Sequence, residues 1–532
     1  MKKTFIIFLA SLLSFSSCSL KEDPISSSEA DEYYDTIVKC QTGVNALYSN
    51  IRALLNGTGM FQTTECASDL MIMNLSTSQN AILDISPANP GFASNLWSNC
   101  YAGIMRANNI LYYLDLGVQT GKFSQEEALS LQGEAVVLRA FFYYLLTSAF
   151  GDVPYYEDRV TDKNRLQIAR LPRMSATDTR DRQIELLCTY LFTESDGGLG
   201  ALELKRSYDG NHTNRMGAAA GLMIAAKFCL WNERWEDALK VLGYLENIYG
   251  NYTDRPEEFG IDYPLTDIPY SNKYTKESIF EISNSYELYG IQAVGNLAAY
   301  TTPSKGSGSR YDGIDIPALG SNAVISIQMR PTWVFQTLLP YYSADKRAGD
   351  YSNDESVSRK GSGNLAWRWD GTWFSSCKRP NDRPWLGNKF WCFGMNSSSD
   401  FNNYKIFRYA DALLMMAEAH LNLKNYDKAA EYLNITRSRA GLTDFVNLNY
   451  VAGSPEALME EIRMERAKEL FGEYQRKFDL VRWGIWYTRT CEYNNSAYKK
   501  DYIQPYHEYY PIPSDQVEYS GGALDNKEYT GR

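Results

Sequence analysis

The sequence predicts a mostly α-helical fold, in which tetratricopeptide-like helix pairs support a loop-rich, aromatic-rich insert with a few short strands. Three observations predict it. Apolar residues recur at spacings of three and four over most of the chain. Two distant segments repeat one helix–turn–helix plan. A region of about residues 252–403 lacks that periodicity and is rich in Gly, Ser, Asn, Pro and aromatic residues.

The first helices follow from apolar spacing and from their caps. Residues 31–56 and 97–116 each place apolar side chains on one face. Ser124 begins the next helix as a capping box with Glu127, and the turn at Gly151 ends it. Each of these segments is therefore predicted to pack one face against a core.

Two later segments resemble copies of one unit. An apolar helix over 216–231 is followed by a short polar turn and Trp235-Glu236-Asp237-Ala238. The helix over 409–421 is likewise followed by a turn and Tyr426-Asp427-Lys428-Ala429. Because the alanine lets two helices approach closely and the aromatic ring fills the gap beside it, the pattern is typical of tetratricopeptide-like pairs.

The region between the two copies is predicted to be the insert. Ser278 to Ser283 alternates like a strand. Long loops in a compact protein are usually functional or disordered, and the aromatic content of this region argues against disorder. We therefore expect the insert to carry the binding surface.

The N-terminus is typical of a secretory signal peptide. Two lysines precede an apolar run over 4–15, and Ser16-Ser17-Cys18 follows. The cysteine after small residues resembles a bacterial lipobox, which predicts a signal peptide over 1–17 and acylation of Cys18. The alternative is an ordinary signal peptide with an incidental Cys18. Residues 18–30 are polar and suit a flexible tether.

Composition excludes several classes of function. The formal net charge is −11, which opposes binding to nucleic acid. The three histidines, His212, His420 and His507, are far apart, and no cysteines form a C-x-x-C pair. The sequence therefore predicts no metal, no cofactor and no Ser-His-Asp or Cys-His catalytic site.

Several motifs in order resemble the SusD/RagB family over nearly the full length. They are Trp97-x3-Tyr101-x6-Asn108, Leu138-Arg139-Ala140-Phe141, Gly151-Asp152-Val153-Pro154, Arg408-Tyr409-Ala410-Asp411 with Ala417-Glu418-Ala419, Asn434-x2-Arg437-x-Arg439, Glu465-Arg466, Asp479-Leu480-Val481-Arg482 and Tyr510-Pro511-Ile512-Pro513.

The resemblance implies a surface lipoprotein that faces the cell exterior, is lipid-anchored in the outer membrane, and binds oligosaccharides without cleaving them. It also implies a partner, a SusC-like TonB-dependent transporter. Residues 31–532 would form a single SusD-like domain, with a helical scaffold over about 31–251 and 404–532 and the binding insert over about 252–403.

Most charged residues of these motifs are expected to have structural roles. They lie in predicted amphipathic helices, where the ordinary role of a buried charge is an ion pair that joins two helices. These residues are Arg139, Arg408, Asp411, Glu418, Arg437, Arg439, Glu465, Arg466 and Arg482.

A sugar ligand would need aromatic platforms flanked by polar groups. Trp97 is the first candidate, because family platforms include a tryptophan at the start of this helix; the alternative is a buried helix anchor. Asp69 could accept sugar hydroxyls, and Asn99 stands beside Cys100, where starch-binding members have an amide. Further candidates in the insert are Tyr289, Tyr300, Tyr311, Trp367, Trp369 and Trp373, the last three being either platform or loop packing.

Two other functions remain open at the level of sequence. A glycoside hydrolase would need two carboxylates across a cleft, and no motif nominates such a pair. A scaffold that binds only proteins or peptides would have no need of the aromatic insert. The sequence therefore favours capture of a glycan and predicts that the chain is not an enzyme.

Overall fold

The computed structural model describes residues 33–73, 79–206, 214–250, 273–285 and 294–301, short stretches between 329 and 392, and residues 394–442, 454–494 and 501–529. Cys18 and the rest of the predicted signal peptide and tether lie outside these residues. The described chain is mostly helical with a few short strands, so the predicted fold class is confirmed.

The N-terminal half contributes ten described helices and strands before the first predicted repeat. In chain order these are α1 (Ile37–Leu55), α2 (Thr58–Phe61), β1 (Met71–Met73), α3 (Gln79–Ile82), α4 (Phe92–Gln119), α5 (Gln125–Phe150), β2 (Val153–Pro154), α6 (Arg165–Ala169), β3 (Arg173–Met174) and, closing this half, α7 (Ala176–Leu191). A π-helical segment, Gln62–Cys66, continues α2. Helix α4 packs against both α1 and α5.

Helix α5 is the central helix of this half. Its N-terminus has the predicted capping box, with Ser124 Oγ accepting from Glu127 N at 3.2 Å, and its C-cap is Gly151. From Leu131 to Phe150 every residue is buried, because α1, α4, α7 and the next long helix, α8 (Ala218–Trp231), surround it. Gly221 permits the approach of α8, since a Cβ there would lie 2.7 Å from Val137 of α5.

The two predicted repeats are matched in detail. Helix α8 is followed by α9 (Trp235–Tyr249). The insert follows, and its described part contains short strands and the five-residue α10 (Leu297–Thr301). In the second pair, α11 (Tyr409–Asn422) is followed by α12 (Tyr426–Arg439). Each turn has one residue in the left-handed region, Glu233 (φ 55°) and Lys424 (φ 63°). The alanines of the two motifs, Ala238 and Ala429, are both fully buried. The helix-pair prediction is therefore confirmed.

The C-terminal part completes the scaffold. Its helices are α13 (Pro455–Glu469), α14 (Arg476–Arg482), α15 (Trp486–Tyr493) and α16 (Ser514–Tyr519), with a 3₁₀ turn at Pro505–Glu508. Helix α13 packs on α11 and α12, while α11 packs on α9. The helix pairs thus stack in sequence from α4 and α5 to α13.

Short strands accompany the insert. They are β4 (Ser278–Ile282), β5 (Met329–Pro331), β6 (Ala348–Tyr351), β7 (Ala366–Trp369), β8 (Trp385–Leu386) and β9 (Tyr404–Arg408). The predicted strand at Ser278 is confirmed, and β4 pairs with β9 in antiparallel fashion. Strand β5 pairs with β1 of the N-terminal half. The insert is therefore joined to the scaffold by backbone ladders at both places.

Buried ion pairs join the insert to the scaffold a second time. Arg408 donates from Nη1 to Glu277 Oε1 at 2.8 Å and from Nε to Glu473 Oε2 at 2.8 Å. Arg347 donates to Glu465 Oε1 at 2.8 Å and to Glu469 Oε2 at 3.1 Å. The prediction that the motif charges form ion pairs is confirmed, although Arg408 ends β9 instead of lying in a helix.

A second buried cluster joins helices within the scaffold. Asp411 of α11 pairs with Lys227 of α8 and accepts from Arg466 Nη1 at 2.8 Å. Arg466 also pairs with Asp479 at 2.8 Å. Burial raises the pKa of Asp411, but the two neighbouring cations outweigh it and lower that pKa to about 2.

Candidate functional site

Trp97 is a core residue in this structure. Its ring is 4% exposed. It lies edge-on to Phe150 with 5.1 Å between ring centroids and is tilted against Tyr101 at 4.8 Å. The prediction of an exposed platform at Trp97 is therefore wrong: the i, i+4 pair with Tyr101 lies on the side of α4 that packs on α5.

Asp69 is also buried, and it is paired. Arg476 holds the carboxylate with two hydrogen bonds, from Nε to Oδ1 and from Nη2 to Oδ2, both 2.8 Å. Arg489 Nε lies 3.5 Å from Oδ2. Because the side chain is fully buried, the predicted role of Asp69 as acceptor of sugar hydroxyls is wrong. Its carboxylate instead connects the segment before β1 to α14 and α15.

Asn99 remains at the surface, on the second turn of α4. Its Oδ1 accepts from Asn50 Nδ2 of α1 at 3.3 Å, and its Nδ2 donates to the Asn95 carbonyl at 3.1 Å. Arg106 in turn donates to Asn50 Oδ1. These amides form a polar strip along the junction of α1 and α4, and Asn99 keeps partial access to solvent.

Tyr300 lies on α10 and is half-buried against the core. The helix is held at its start, where the Tyr404 hydroxyl accepts from Asn296 N at 3.0 Å and Asp400 Oδ2 accepts from Ala298 N at 2.9 Å. Burial raises the pKa of Asp400 to about 6 despite these hydrogen bonds. Tyr300 is thus presented by a short, well-anchored element.

The C-terminus of α1 and helix α2 link the elements that carry Tyr300 and Asn99 at one end of α1. Asn56, at the C-cap of α1, donates from Nδ2 to the Val294 carbonyl just before α10, at 2.7 Å. The start of α4 packs closely on α2, because a Cβ on Gly59 of α2 would lie only 2.4 Å from the Phe92 ring of α4. We call this end, formed by the C-terminus of α1, by α2, α10 and the first turns of α4, the insert-side face.

The remaining sequence candidates cannot be placed on this face. Tyr289, Tyr311 and Trp373 lie outside the described residues. Trp367 and Trp369 belong to β7, whose backbone is described and whose side chains are not. Their assignment to ligand binding stays a prediction.

The cap of α4 was not predicted from the sequence. Asn80 Oδ1 accepts from Phe92 N at 2.9 Å, and Asn80 Nδ2 donates to Thr63 Oγ1 at 2.9 Å. Gly91, the N-cap residue, has no side chain to provide a cap, so a local capping signal is missing. Asn80 therefore fixes the helix start from a distance of twelve residues in sequence.

Two features are absent from the described residues. None of the helices described is both long and apolar enough to cross a bilayer. In the same part of the chain, no group of three or more His, Cys, Asp and Glu side chains is arranged to hold a metal ion.

Comparison with known proteins decides the family. The protein-family model described as the SusD family matches residues 328–529. A second family model, described as "Starch-binding associating with outer membrane", matches residues 20–183. SusD-like protein P25 of Formosa agariphila is 24% identical, with 98% of each chain covered. The chain belongs to the SusD/RagB family. SusD-like protein P2 of the same organism is 23% identical over 91% of each chain.

Solved SusD-like structures share the fold. Surface glycan-binding protein A from Bacteroides uniformis superposes with a TM-score of 0.69 at 22% identity, covering 93% of this chain and 100% of that one. Surface glycan-binding protein A from Bacteroides thetaiotaomicron, in complex with laminarihexaose, gives 0.62 at 19% identity, covering 92% and 99%. The two superpositions therefore each cover more than nine tenths of this chain.

Proposed function

We propose that the protein captures an oligosaccharide or polysaccharide at the bacterial cell surface and delivers it to a SusC-like TonB-dependent transporter. In this proposal Cys18 carries the lipid that holds it to the outer membrane, the chain faces the exterior, and it performs no catalysis. The binding surface would be the insert-side face, including Tyr300 and Asn99.

The observation that carries the proposal is the family match at both ends of the chain. One of the two matching family descriptions names starch binding and association with the outer membrane. The aromatic-rich insert supports the same function, because six of the eleven tryptophans fall within residues 252–403 and aromatic rings stack on the apolar faces of sugars. Since binding alone moves nothing across a membrane, a transporter is the expected partner.

Binding can be tested on the soluble protein that begins after Cys18, with a panel of neutral glycans that includes laminarihexaose and maltohexaose. We expect at least one to bind, with no release of reducing ends during incubation. Replacing Tyr300 by Ala should weaken that binding about two- to tenfold, because ring stacking contributes about 0.5–1.5 kcal/mol. Tyr519→Ala, at a ring that is 72% exposed on α16, is the matched control.

The outcomes separate the alternatives. Cleavage of a glycan would identify a hydrolase. Absence of glycan binding together with capture of peptides would identify a peptide-binding scaffold. Equal effects of the two tyrosine substitutions would remove the insert-side face from the proposal while leaving glycan binding intact.

Anchoring and partnership are tested in cells. Cys18→Ala should leave the protein unacylated and absent from the outer-membrane fraction, whereas Cys491→Ala, at an exposed thiol, should behave as wild type. Wild-type protein extracted gently with detergent should co-purify with a large β-barrel transporter. Normal membrane retention of Cys18→Ala would refute the anchor, and recovery without a barrel would refute the partner.

A further inference from the structure

A cleft of about 920 Å³ lies along α1, on the side of the helix away from Asn50. Residues 41, 45, 48 and 52 of α1 line it at helical spacing, whereas Asn50, which contacts Asn99, is on a different side of the helix. Its other walls are α5, residues 202–206, the start of α8 and β4. The volume falls in the range of small-ligand sites.

One wall of the cleft is a rigid polar unit. Glu134 of α5 is buried and accepts hydrogen bonds from the Tyr48 hydroxyl and from Arg215. The Tyr48 hydroxyl accepts from Met216 N at 2.8 Å, and Arg215 Nη1 donates to Asn45 Oδ1 at 2.7 Å. Side chains held by several partners lose little freedom when a ligand binds, so this wall is preorganised.

Positive charge is in excess at the cleft. Its lining has three carboxylates, on Glu134, Glu203 and Glu281, and four basic groups, on Arg52, Lys205, Arg206 and Arg215. Each carboxylate already has an ion-pair partner; that of Glu281 is Lys405, which is not part of the lining. An excess of cations in a chain of net charge −11 favours an anionic ligand.

Arg52 is the cation that a ligand would pair with. Its Nη1 donates to the Ser283 carbonyl at 2.6 Å and its Nη2 to Asn284 Oδ1 at 2.5 Å, so both partners are neutral. Within the described part of the chain no carboxylate lies within ion-pair distance of it. Half-burial lowers the pKa of Arg52, because it removes water from the charged guanidinium. An anion bound to the guanidinium would offset the free-energy cost of this desolvation.

The floor of the cleft leaves space for a ligand. Gly217, at the N-cap of α8, has open space within 4 Å of where a Cβ would stand. Its φ of −84° is open to any residue, so this glycine is not required by the backbone. A Cβ placed at this residue, which lines the cleft, would displace no protein atoms.

We propose that this cleft is a second ligand site, separate from the insert-side face, and that it takes an acidic oligosaccharide whose carboxylate or sulfate pairs with Arg52. A sugar fits the wall of hydroxyl, amide and guanidinium groups around Tyr48. The choice of a sugar as ligand rests on the proposed glycan capture, while the preference for an anion rests on the cleft itself.

The test uses the soluble protein beginning after Cys18 and calorimetric titration at low and high salt. The probes are tetragalacturonate, its fully methyl-esterified form, and a sulfated galactan tetrasaccharide, with the neutral glycans of the panel above measured alongside. We expect at least one anionic probe to bind, more weakly at high salt, and the ester to bind at least tenfold more weakly than the acid.

Three variants locate the binding. Arg52→Gln and Gly217→Trp should each weaken the anionic probe at least tenfold, and Arg52→Lys, which keeps the charge, should lose less than Arg52→Gln. Gly243→Leu on α9, a glycine that also has open space around it, is the matched control and should bind as wild type. Melting temperatures of all four report whether each variant is folded.

Failure of this inference is distinguishable from failure of glycan capture. Neutral glycan binding should be unchanged in the cleft variants. Absence of binding by both anionic probes, equal binding of acid and ester, or anionic binding that survives both Arg52→Gln and Gly217→Trp would each overturn the second site, whatever the neutral panel shows.

Discussion

Trp97 and Tyr101 stand one helical turn apart and share a role in holding α4 against its neighbours. The Trp97 ring packs on Phe150 of α5, and the Tyr101 hydroxyl donates to the Pro154 carbonyl at 2.8 Å. The family motif that contains them therefore stabilises the junction of α4, α5 and β2.

Trp97→Ala should lower the free energy of unfolding by about 3–5 kcal/mol, since it leaves a large cavity in the core. Urea unfolding followed by circular dichroism measures this. Tyr519→Ala, at an exposed ring, should change the value by less than about 0.5 kcal/mol. A Trp97→Ala protein with wild-type stability and weakened glycan binding would restore Trp97 as a platform.

Asp69 gives a second prediction at this scale. Asp69→Asn removes the charge that neutralises Arg476 in a fully buried pair, and should cost about 3–5 kcal/mol of unfolding free energy. The comparison is Asp35→Asn, whose carboxylate pairs with Lys39 at the solvent-exposed surface, so this variant should keep nearly the wild-type free energy of unfolding. Similar losses in the two variants would contradict the buried-pair argument.

At the scale of elements, one carboxylate caps α14 from the π-helical segment. Glu65 accepts backbone hydrogen bonds from Gly472 N and Gln475 N, each at 3.0 Å, and from Arg476 N at 3.3 Å. Burial raises the pKa of Glu65 to about 7, although these hydrogen bonds act in the opposite direction. The side chain thus joins the N-terminal half to the turn before α14.

This cap predicts a pH dependence. The folded-state pKa lies above the ordinary value of 4.5, so the folded protein keeps a proton that the unfolded chain releases between about pH 4.5 and 7. The contribution of Glu65 to stability is therefore largest below about pH 4.5 and falls as the pH rises to about 7. Relative to Glu65→Gln, wild type should lose about 1–3 kcal/mol between pH 5 and pH 8.

Unfolding midpoints at the two pH values provide the measurement for this prediction. Glu126→Gln, at an exposed carboxylate in the first turn of α5, should follow wild type at both. A constant difference between wild type and Glu65→Gln across this range would contradict the raised pKa.

At the scale of the whole molecule, the insert and the scaffold are predicted to unfold as one unit. Six of the eleven tryptophans lie within residues 252–403, so fluorescence reports mainly on the insert, while circular dichroism reports on the scaffold helices. In wild type the two transitions should coincide. Arg347→Met leaves the carboxylates of Asp345, Glu465 and Glu469 without their shared cation, so the fluorescence transition should move to lower urea.

The control for Arg347→Met is Lys428→Met, which breaks an exposed pair with Glu431. That variant should keep coincident transitions at the wild-type midpoint. If Arg347→Met also unfolds in one coincident transition at the wild-type midpoint, the ion pairs do not hold the insert to the scaffold.

What could be predicted from the sequence was local. The capping box at Ser124, the stop at Gly151 and the helix openings at Trp235 and Tyr426 each depend on neighbouring residues, and all are present in the structure. The burial of Trp97 could not be predicted, because the sequence pattern of a tryptophan and a tyrosine four residues apart is the same whether that helix face is buried or exposed.

Ion pairs between residues far apart in the chain could not be predicted from the sequence either. Arg347 and Glu465 are 118 residues apart, and Asp69 and Arg476 are 407 apart. The cleft beside α1 is assembled from five separate stretches, so no single motif indicates it. These features depend on how distant segments meet, which local patterns do not contain.

The arrangement at Arg408 has a mechanical consequence. One guanidinium is held by Glu277 next to β4 and by Glu469 and Glu473 at the end of α13 and just beyond it. A pull on β4 is therefore shared between the β4–β9 ladder and three ion pairs that run in parallel with it, Glu277–Arg408, Glu277–Arg439 and Glu281–Lys405. Contacts loaded in parallel must break at the same time. Tension applied to a glycan held by the insert would therefore be transmitted to the helical scaffold before the strands of the insert could separate one by one.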